Sequence, residues 1–493
     1  MGVSSRKFLS AAAMLVASVA FTLQSAAQEQ PLRHTPAGDI VGTDVNGVNA
    51  FKGIPYAKAP VGKLRWQPPQ AKEATSTPIK AIEYGNSCPQ RNKADTSEDC
   101  LFINVFTPQD VNTDSKLPVF VWIHGGGYVG GAGDLPEEVV ARWVKEGMVV
   151  VSFNYRLGAL GIFSNAQLTQ PEGANFSIMD MTAALRWVQT NIDSFGGDAD
   201  KVTIAGNSAG GMAIQMMMVT ANGAGQFRGA ISQSGYGSWP LPRTANVATV
   251  KGSASAEAIS RAIATRATGS LQPSLEALYA TPADAFVNAI DGFHLPVVDG
   301  ITLTDEPARL FEQGKQHAVP YISGGNSYDG SVYPYAGVAP SRLLTMITPV
   351  KDKVTAAYGL AEPALTALPF QHLFGDMRYV MAGSITTRAM ANVGQQGYRY
   401  FFDVAPSDKP GAGHGSETGA LFAGNEPAVK AMQAYWRNFI LTGNPNGDGL
   451  PQWQAVSVNN QNWMVFDDKA HLEKQVRENK LNLLEQAYQQ WRD

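Results

Sequence analysis

Short, nearly unbroken apolar runs are the dominant pattern along this chain. Leu117-Pro-Val-Phe-Val-Trp-Ile123 and Met148-Val-Val-Val-Ser-Phe153 lack the polar/apolar alternation of a half-exposed strand. They predict strands covered on both faces. Cys100–Phe106, Val202–Ile204, Ala230–Ser234, Tyr321–Ser323 and Tyr398–Phe402 predict further strands. Helical spacing lies between them, at Glu138–Lys145 and in an amphipathic helix over Asp180–Ile192 carrying Leu185, Trp187 and Val188. Asp44-Val-Asn-Gly47 predicts a hairpin, and Glu473–Trp491 a polar C-terminal helix. Strands alternating with helices predict an α/β fold with one mostly parallel central sheet flanked by helices. Two long, mostly helical stretches, near 236–319 and 331–396, carry no linker-like boundary or repeat. They are expected to be insertions of a single domain, residues 28–493, that roof a site at the strand ends and decide substrate choice.

Composition agrees with that picture and narrows the partners. The chain has 493 residues, 44% hydrophobic and 16% charged, with a net charge of −4, enough apolar material for a large core. No basic run is long enough to suggest nucleic acid or an anionic membrane as a partner. Residues 1–27 predict a cleaved signal peptide. Arg6-Lys7 precedes an apolar stretch from Phe8 to Leu23, and Ser25 and Ala27 fit the small-residue positions before a cut at Gln28. The alternative is an uncleaved anchor, but the stretch is short and rich in Ala and Ser, so no stable membrane anchor is expected. The protein is expected to be exported, periplasmic or secreted. In that compartment Cys88 and Cys100 predict a disulfide across a polar loop, with two free thiols as the alternative. Two cysteines cannot build a thiolate zinc site, and the seven histidines show no H-E-x-x-H spacing. No metal or cofactor is expected.

The chemistry concentrates in four loops. Val202–Ile204 runs into Gly206-Asn207-Ser208-Ala209-Gly210, a strand, sharp turn and helix with a serine at the apex. Alone this G-x-S-x-G is a weak signal, since a glycine-rich turn closing an ordinary strand reads the same way. His124-Gly-Gly-Gly-Tyr128 follows a buried strand, where unobstructed backbone N–H groups can face a developing oxyanion. Asp329 lies in Gly324-Gly-Asn-Ser-Tyr-Asp-Gly330, and His414 in Gly411-Ala-Gly-His-Gly-Ser-Glu417, each after a predicted strand. Ser208, then Asp329, then His414 is the chain order of nucleophile, acid and base in α/β hydrolases.

Those residues, with Phe51-Lys-Gly-Ile-Pro-Tyr-Ala57, Ser97-Glu-Asp-Cys-Leu101, Asn104-Val105, Asn154-Tyr-Arg-Leu-Gly158, Asn191-Ile192, Phe195-Gly-Gly-Asp198 and Gln233-Ser-Gly235, span nearly the whole mature chain. The chain resembles the type-B carboxylesterase/lipase family, the cholinesterase-like branch of the α/β hydrolases. The resemblance implies the α/β-hydrolase fold, serine ester hydrolysis of a small-molecule substrate, and no cofactor. It also implies Ser208 as nucleophile, Asp329 and His414 as its partners, Gly126, Gly127 and Ala209 as oxyanion donors, and Cys88–Cys100 as the family's first disulfide. A non-catalytic binding module on the same fold and an amidase on the same triad are the alternatives.

Three positions depart from the family pattern. Asn207 stands where Glu usually precedes the serine, which removes a negative charge from beside the site and favours, or at least does not repel, anionic substrates. Asp329 replaces a Glu that is one methylene longer. The loop between Cys88 and Cys100 is short and has no Trp, so choline esters are not expected as dedicated substrates. Tyr236, Trp239, Phe293, Tyr333 and Tyr335 are candidate wall residues, with helix packing and loop anchoring as the alternative roles.

Overall fold

Along Leu117–Ile123, Val119, Val121 and Ile123 fall in one buried apolar cluster, and Phe120 and Trp122 in another. Strand side chains alternate between faces, so a run that is apolar at every position belongs to a strand with a core on each side. The computed structural model describes residues 30–168, 172–247 and 254–491. The signal peptide expected over residues 1–27 lies outside the described residues.

The strands in chain order are β1 (Leu32–Thr35), β2 (Gly38–Val41), β3 (Thr43–Val45), β4 (Val48–Pro55), β5 (Thr75–Lys80), β6 (Phe102–Thr107) and β7 (Leu117–Ile123). They continue with β8 (Val149–Phe153), β9 (Gly197–Asn207), β10 (Gly229–Gln233), β11 (Tyr321–Asn326), β12 (Gly397–Phe402), β13 (Trp463–Phe466) and β14 (Ala470–Glu473). β1, β2 and β5 form a small sheet, and the rest form an 11-stranded sheet in the order β14-β13-β12-β11-β10-β9-β7-β8-β6-β4-β3. From β8 through β7, β9, β10, β11 and β12 to β13, neighbours pair in parallel. Antiparallel strands finish both edges.

Helices Phe176–Asn191 and Ala209–Met217 put Met181, Leu185, Val188, Met212 and Ile214 into the core on one face. Glu137–Lys145 and Pro427–Thr442 put Val140, Val144, Met432, Trp436 and Phe439 into the core on the other. This is the α/β-hydrolase arrangement. The loop through Asn154-Tyr-Arg-Leu-Gly158 is tied to the first of these helices by Arg156, whose guanidinium meets the buried Asp180 carboxylate at 2.7 and 2.8 Å. Gly158–Gly161 closes one helical turn.

The structure alters the sequence reading at three places. The helix expected from Asp180 begins at Phe176, because Phe176, Ile178 and Met179 are also buried. β13 and β14 were not anticipated; four residues are too few for a periodicity, and pairing, of β13 with the edge of β12 and of β14 with β13, decides their state. Ala470–Glu473 therefore belongs to a strand, and the C-terminal helix starts at Glu478 instead of Glu473. The two helical stretches form as expected, the first with helices Ala256–Thr268, Leu275–Ala280, Ala283–Asn288 and Pro307–Glu312. The second carries Pro340–Met346, Lys351–Tyr358 and Leu368–Gly375, then a π-helical turn Asp376–Val380 that runs into Met381–Ala389.

Candidate active site

At the end of β9 the chain turns sharply into helix Ala209–Met217 through Ser208, which has φ 57° and ψ −117°. Positive φ is costly for a residue with a Cβ, and such strain persists only where surrounding structure enforces it. Here the Ser208 N–H donates to Gln233 O on β10 at 2.8 Å. A Cβ at Gly210 would overlap the Ile123 carbonyl oxygen, and one at Gly211 would lie 2.5 Å from Gln233 O. Glycines at both positions let β7 and β10 close on the turn. Ala209 opens the helix, so its N–H has no acceptor within the helix.

The glycine loop lies against this turn. A Cβ at Gly125 would sit 2.6 Å from Asn207 O and 3.1 Å from Ser208 Cβ. Gly126, Gly127 and Tyr128 all have positive φ, 111°, 61° and 57°, which curls the loop around its own amides. The Gly126 carbonyl accepts from Val129 N, and the Gly127 carbonyl from His294 N at 3.0 Å. From outside, Gln90 clamps Gly131 by accepting from its N–H and donating to its carbonyl, both at 2.9 Å. Gln90 belongs to the loop closed by the Cys88–Cys100 disulfide, so the cross-link braces the glycine loop. His124 stacks on Tyr155 with ring centroids 4.2 Å apart, and burial lowers its pKa to about 4. It is a neutral packing residue.

His414 and Asp329 meet after β12 and β11. His414 Nδ1 lies 2.6 Å from Asp329 Oδ1. Its backbone N–H donates to Ser331 Oγ at 2.8 Å. Asp329 Oδ2 accepts from Asn326 N at 2.8 Å and Ser234 Oγ at 2.9 Å. With Nδ1–H given to the carboxylate, Nε2 is the lone-pair nitrogen of the neutral ring. That atom is buried and has no hydrogen-bond partner in the protein. The loop brings Gly415 beside Asn207, where a Cβ would be 3.7 Å from Oδ1. Asp329 and His414 are thus in contact, the His414 loop reaches Asn207 next to Ser208 in the chain, and the glycine loop packs on the Ser208 turn at Gly125.

Beside Asn207 the sequence reading needs correction. A carboxyl group does lie there, supplied by Glu417 from helix Ser416–Ala423. Glu417 is 0% exposed; it accepts from Asn207 Nδ2 at 2.9 Å and lies 3.1 Å from Ser234 Oγ. Asn326 Nδ2 also donates to it. Burial first, and then the charge of Asp329, push the Glu417 pKa up to about 7. Two carboxyl groups meet at one serine hydroxyl that has a single proton, and a proton on Glu417 relieves the repulsion. Asp403, which directly follows β12, accepts from Ser327.

Of the candidate wall residues, Tyr236, Trp239 and Phe293 gather around Arg378. Tyr333 is buried and stacked on Phe374, while Tyr335 is 74% exposed and stands outside. Sequence reasoning missed Ser234, Asn326 and Arg378 as site residues. Ser234 carried a signal in Gln233-Ser-Gly235, and Asn326 stands three residues before Asp329. Arg378 had no signal beyond being a charge in an apolar stretch.

A model of the carboxylesterase family matches residues 29–484. The para-nitrobenzyl esterase of Bacillus subtilis (strain 168) is 30% identical over 487 residues, covering 89% of this chain and 95% of that one. The acylcarnitine hydrolase of Mus musculus is 32% identical over 505 residues, covering 89% and 88%. A solved PNB esterase structure aligns with TM-score 0.79 at 27% identity, covering 92% of this chain and 100% of that one.

Proposed function

The chain belongs to the carboxylesterase family and is a carboxylic-ester hydrolase, and from that premise we propose that it works by two-step acyl transfer through Ser208. His414 Nε2 takes the Ser208 hydroxyl proton as Oγ attacks the ester carbonyl, and Asp329 orients the imidazole and stabilises its charged form. The tetrahedral oxyanion is held by the N–H groups of Gly126, Gly127 and Ala209. As the intermediate collapses, His414 gives its proton to the departing alkoxide, and the acyl group stays on Oγ. Water then enters, loses a proton to His414 and attacks the acyl carbonyl; collapse releases the acid and returns the proton to Ser208. Each step balances without a metal or cofactor.

The observation that carries this reading is the 2.6 Å Asp329–His414 contact, on a loop that reaches Asn207, together with a serine held at positive φ and backed by a glycine loop. Ser208→Ala should lose both turnover of a 4-nitrophenyl acyl ester and covalent labelling by a fluorophosphonate. Labelling that persists in the variant would sink the assignment. Matched esters and amides separate an esterase from an amidase, and the ester is expected to be the better substrate. We also propose export, on the leader pattern of residues 1–27 and the Cys88–Cys100 disulfide. N-terminal sequencing of the protein from the culture medium and periplasm should begin at Gln28.

A further inference from the structure

Arg378 is a cation without a counterion in the interior of the protein. It is 1% exposed, and its Nε and Nη2 atoms are buried without a hydrogen-bond partner. No carboxylate among the described residues pairs with it. Asp376, two positions earlier, is already engaged by Arg477 and by the Tyr358 hydroxyl. What surrounds the guanidinium is aromatic: its carbon lies 4.1 to 5.8 Å from the ring centroids of Tyr236, Trp239, Phe293, Phe374 and Tyr379. Aromatic faces attract a cation, and the Tyr236 and Tyr379 hydroxyls face the guanidinium, but none of these groups carries a compensating negative charge. Burying an arginine without a counterion, and with Nε and Nη2 unpartnered, opposes folding, so its placement calls for a function.

The position of this box relative to the reacting groups identifies one. Phe293 packs so closely on Gly127 that a Cβ there would overlap its ring, and Tyr379 lies 4.5 Å from the His414 ring, centroid to centroid. Arg378 is therefore one aromatic ring away from both the glycine loop and the base. The turn that presents it, Asp376–Val380, is π-helical within an otherwise α-helical run, a distortion that recurs at functional sites.

We propose that Arg378 is the specificity residue for an anionic group on the substrate, and that this esterase prefers esters carrying a carboxylate a few bonds from the scissile carbonyl. The planar fork of a guanidinium matches a carboxylate in two parallel hydrogen bonds, and the surrounding rings exclude the water that would weaken them. This inference rests on the ester-hydrolase reading of the site. It names the substrate class.

The test compares each anionic ester with a neutral analogue on the intact protein. Mono-4-nitrophenyl glutarate against 4-nitrophenyl pentanoate places the charge on the acyl side; 3-acetoxybenzoate against phenyl acetate places it on the alcohol side. In one arm the ratio of kcat/KM, anionic over neutral, should exceed unity by roughly ten- to a hundredfold, the worth of a charge-assisted hydrogen bond in an enclosed site. The favoured arm tells which side of the ester faces Arg378. Arg378→Met should bring that ratio to unity or below, and Arg378→Lys should restore part of it. Because the ratio is taken within each variant, a general loss of activity does not imitate the effect. Should the variants not fold, the wild-type ratio and competitive inhibition by glutarate or 3-hydroxybenzoate still decide. Neutral esters turned over with no anionic preference in either arm, or a preference that survives Arg378→Met, overturns the inference while leaving the esterase reading intact. No turnover of any ester, with Ser208 unlabelled by fluorophosphonate, overturns both.

Discussion

Replacing Glu417 by Gln removes a titrating group from the core and should alter how stability depends on pH. The carboxyl group titrates near 4.5 when unperturbed, and burial followed by the Asp329 charge pushes it to about 7 in the folded protein. Between those values the folded state holds a proton that the unfolded chain has released. The unfolded state then binds fewer protons, so stability falls as pH rises from about 4.5 to about 7 and levels off above that range. At 1.36 kcal/mol per pKa unit the shift amounts to about 3 kcal/mol. A chain of this size unfolds with an entropy of about 1 kcal/mol/K at roughly 2.1 cal/mol/K per residue, so about 3 kcal/mol corresponds to about 3 °C in Tm. Thermal melts of wild type and Glu417→Gln from pH 4.5 to 8.5 measure it. Losing the acceptor for Asn207 and Asn326 gives the variant an offset at every pH, which leaves slope as the signature. Glu306, also pushed up to about 7 by burial, is present in both proteins and cancels in the difference. The wild type should lose about 3 °C more than the variant between pH 4.5 and 8. Parallel curves would refute the assignment of a raised pKa to Glu417, and so would a steeper fall in the variant.

Asp329→Asn should lower kcat by roughly four orders of magnitude, because the imidazole loses the acceptor that fixes its tautomer; near-normal turnover would shift the role to Glu417. Gly210→Ala forces a Cβ onto the Ile123 carbonyl oxygen, and the shift of the Ser208 turn should cut kcat/KM about a hundredfold with native circular dichroism. Full activity there would show that the turn tolerates displacement. Cys100→Ser opens a loop whose cysteines are 12 positions apart, expected to cost about 3 kcal/mol of stability. It should also lower kcat by loosening the Gln90 clamp on Gly131, and an unchanged urea midpoint with unchanged kcat would refute both effects.

Much of this was legible in the chain because its signals are local. A strand buried on both faces declares itself by unbroken apolar runs, as in β7 and β8. The loops of Ser208, Asp329 and His414 declare themselves by glycine next to a chemically apt side chain. What was not legible depends on partners distant in sequence. Nothing around Glu417 says that Asn207, 210 residues earlier, holds it, so the chain seemed to lack a carboxyl group that it brings in from elsewhere. Ser234 turns into the site only because β10 lies between β9 and β11. Tyr335 looked like a wall residue because aromatic side chains are credited with burial, yet its short 3₁₀ turn faces it outward. Arg378 was silent because an arginine in an apolar helix normally reaches solvent.

The order of strands across the large sheet has a consequence for how the molecule comes to life. Ser208, Ser234, Asp329 and His414 follow β9, β10, β11 and β12, which are neighbours in space but separated along the chain by both helical insertions. Even the tightest pair, His414 with Asp329, closes a gap of 85 residues. Loops of that length are entropically slow to close, and parallel pairing cannot begin locally. Refolding should therefore recover helical ellipticity first and turnover last, once β12 has docked. For this fold, activity is a clock for the final assembly step.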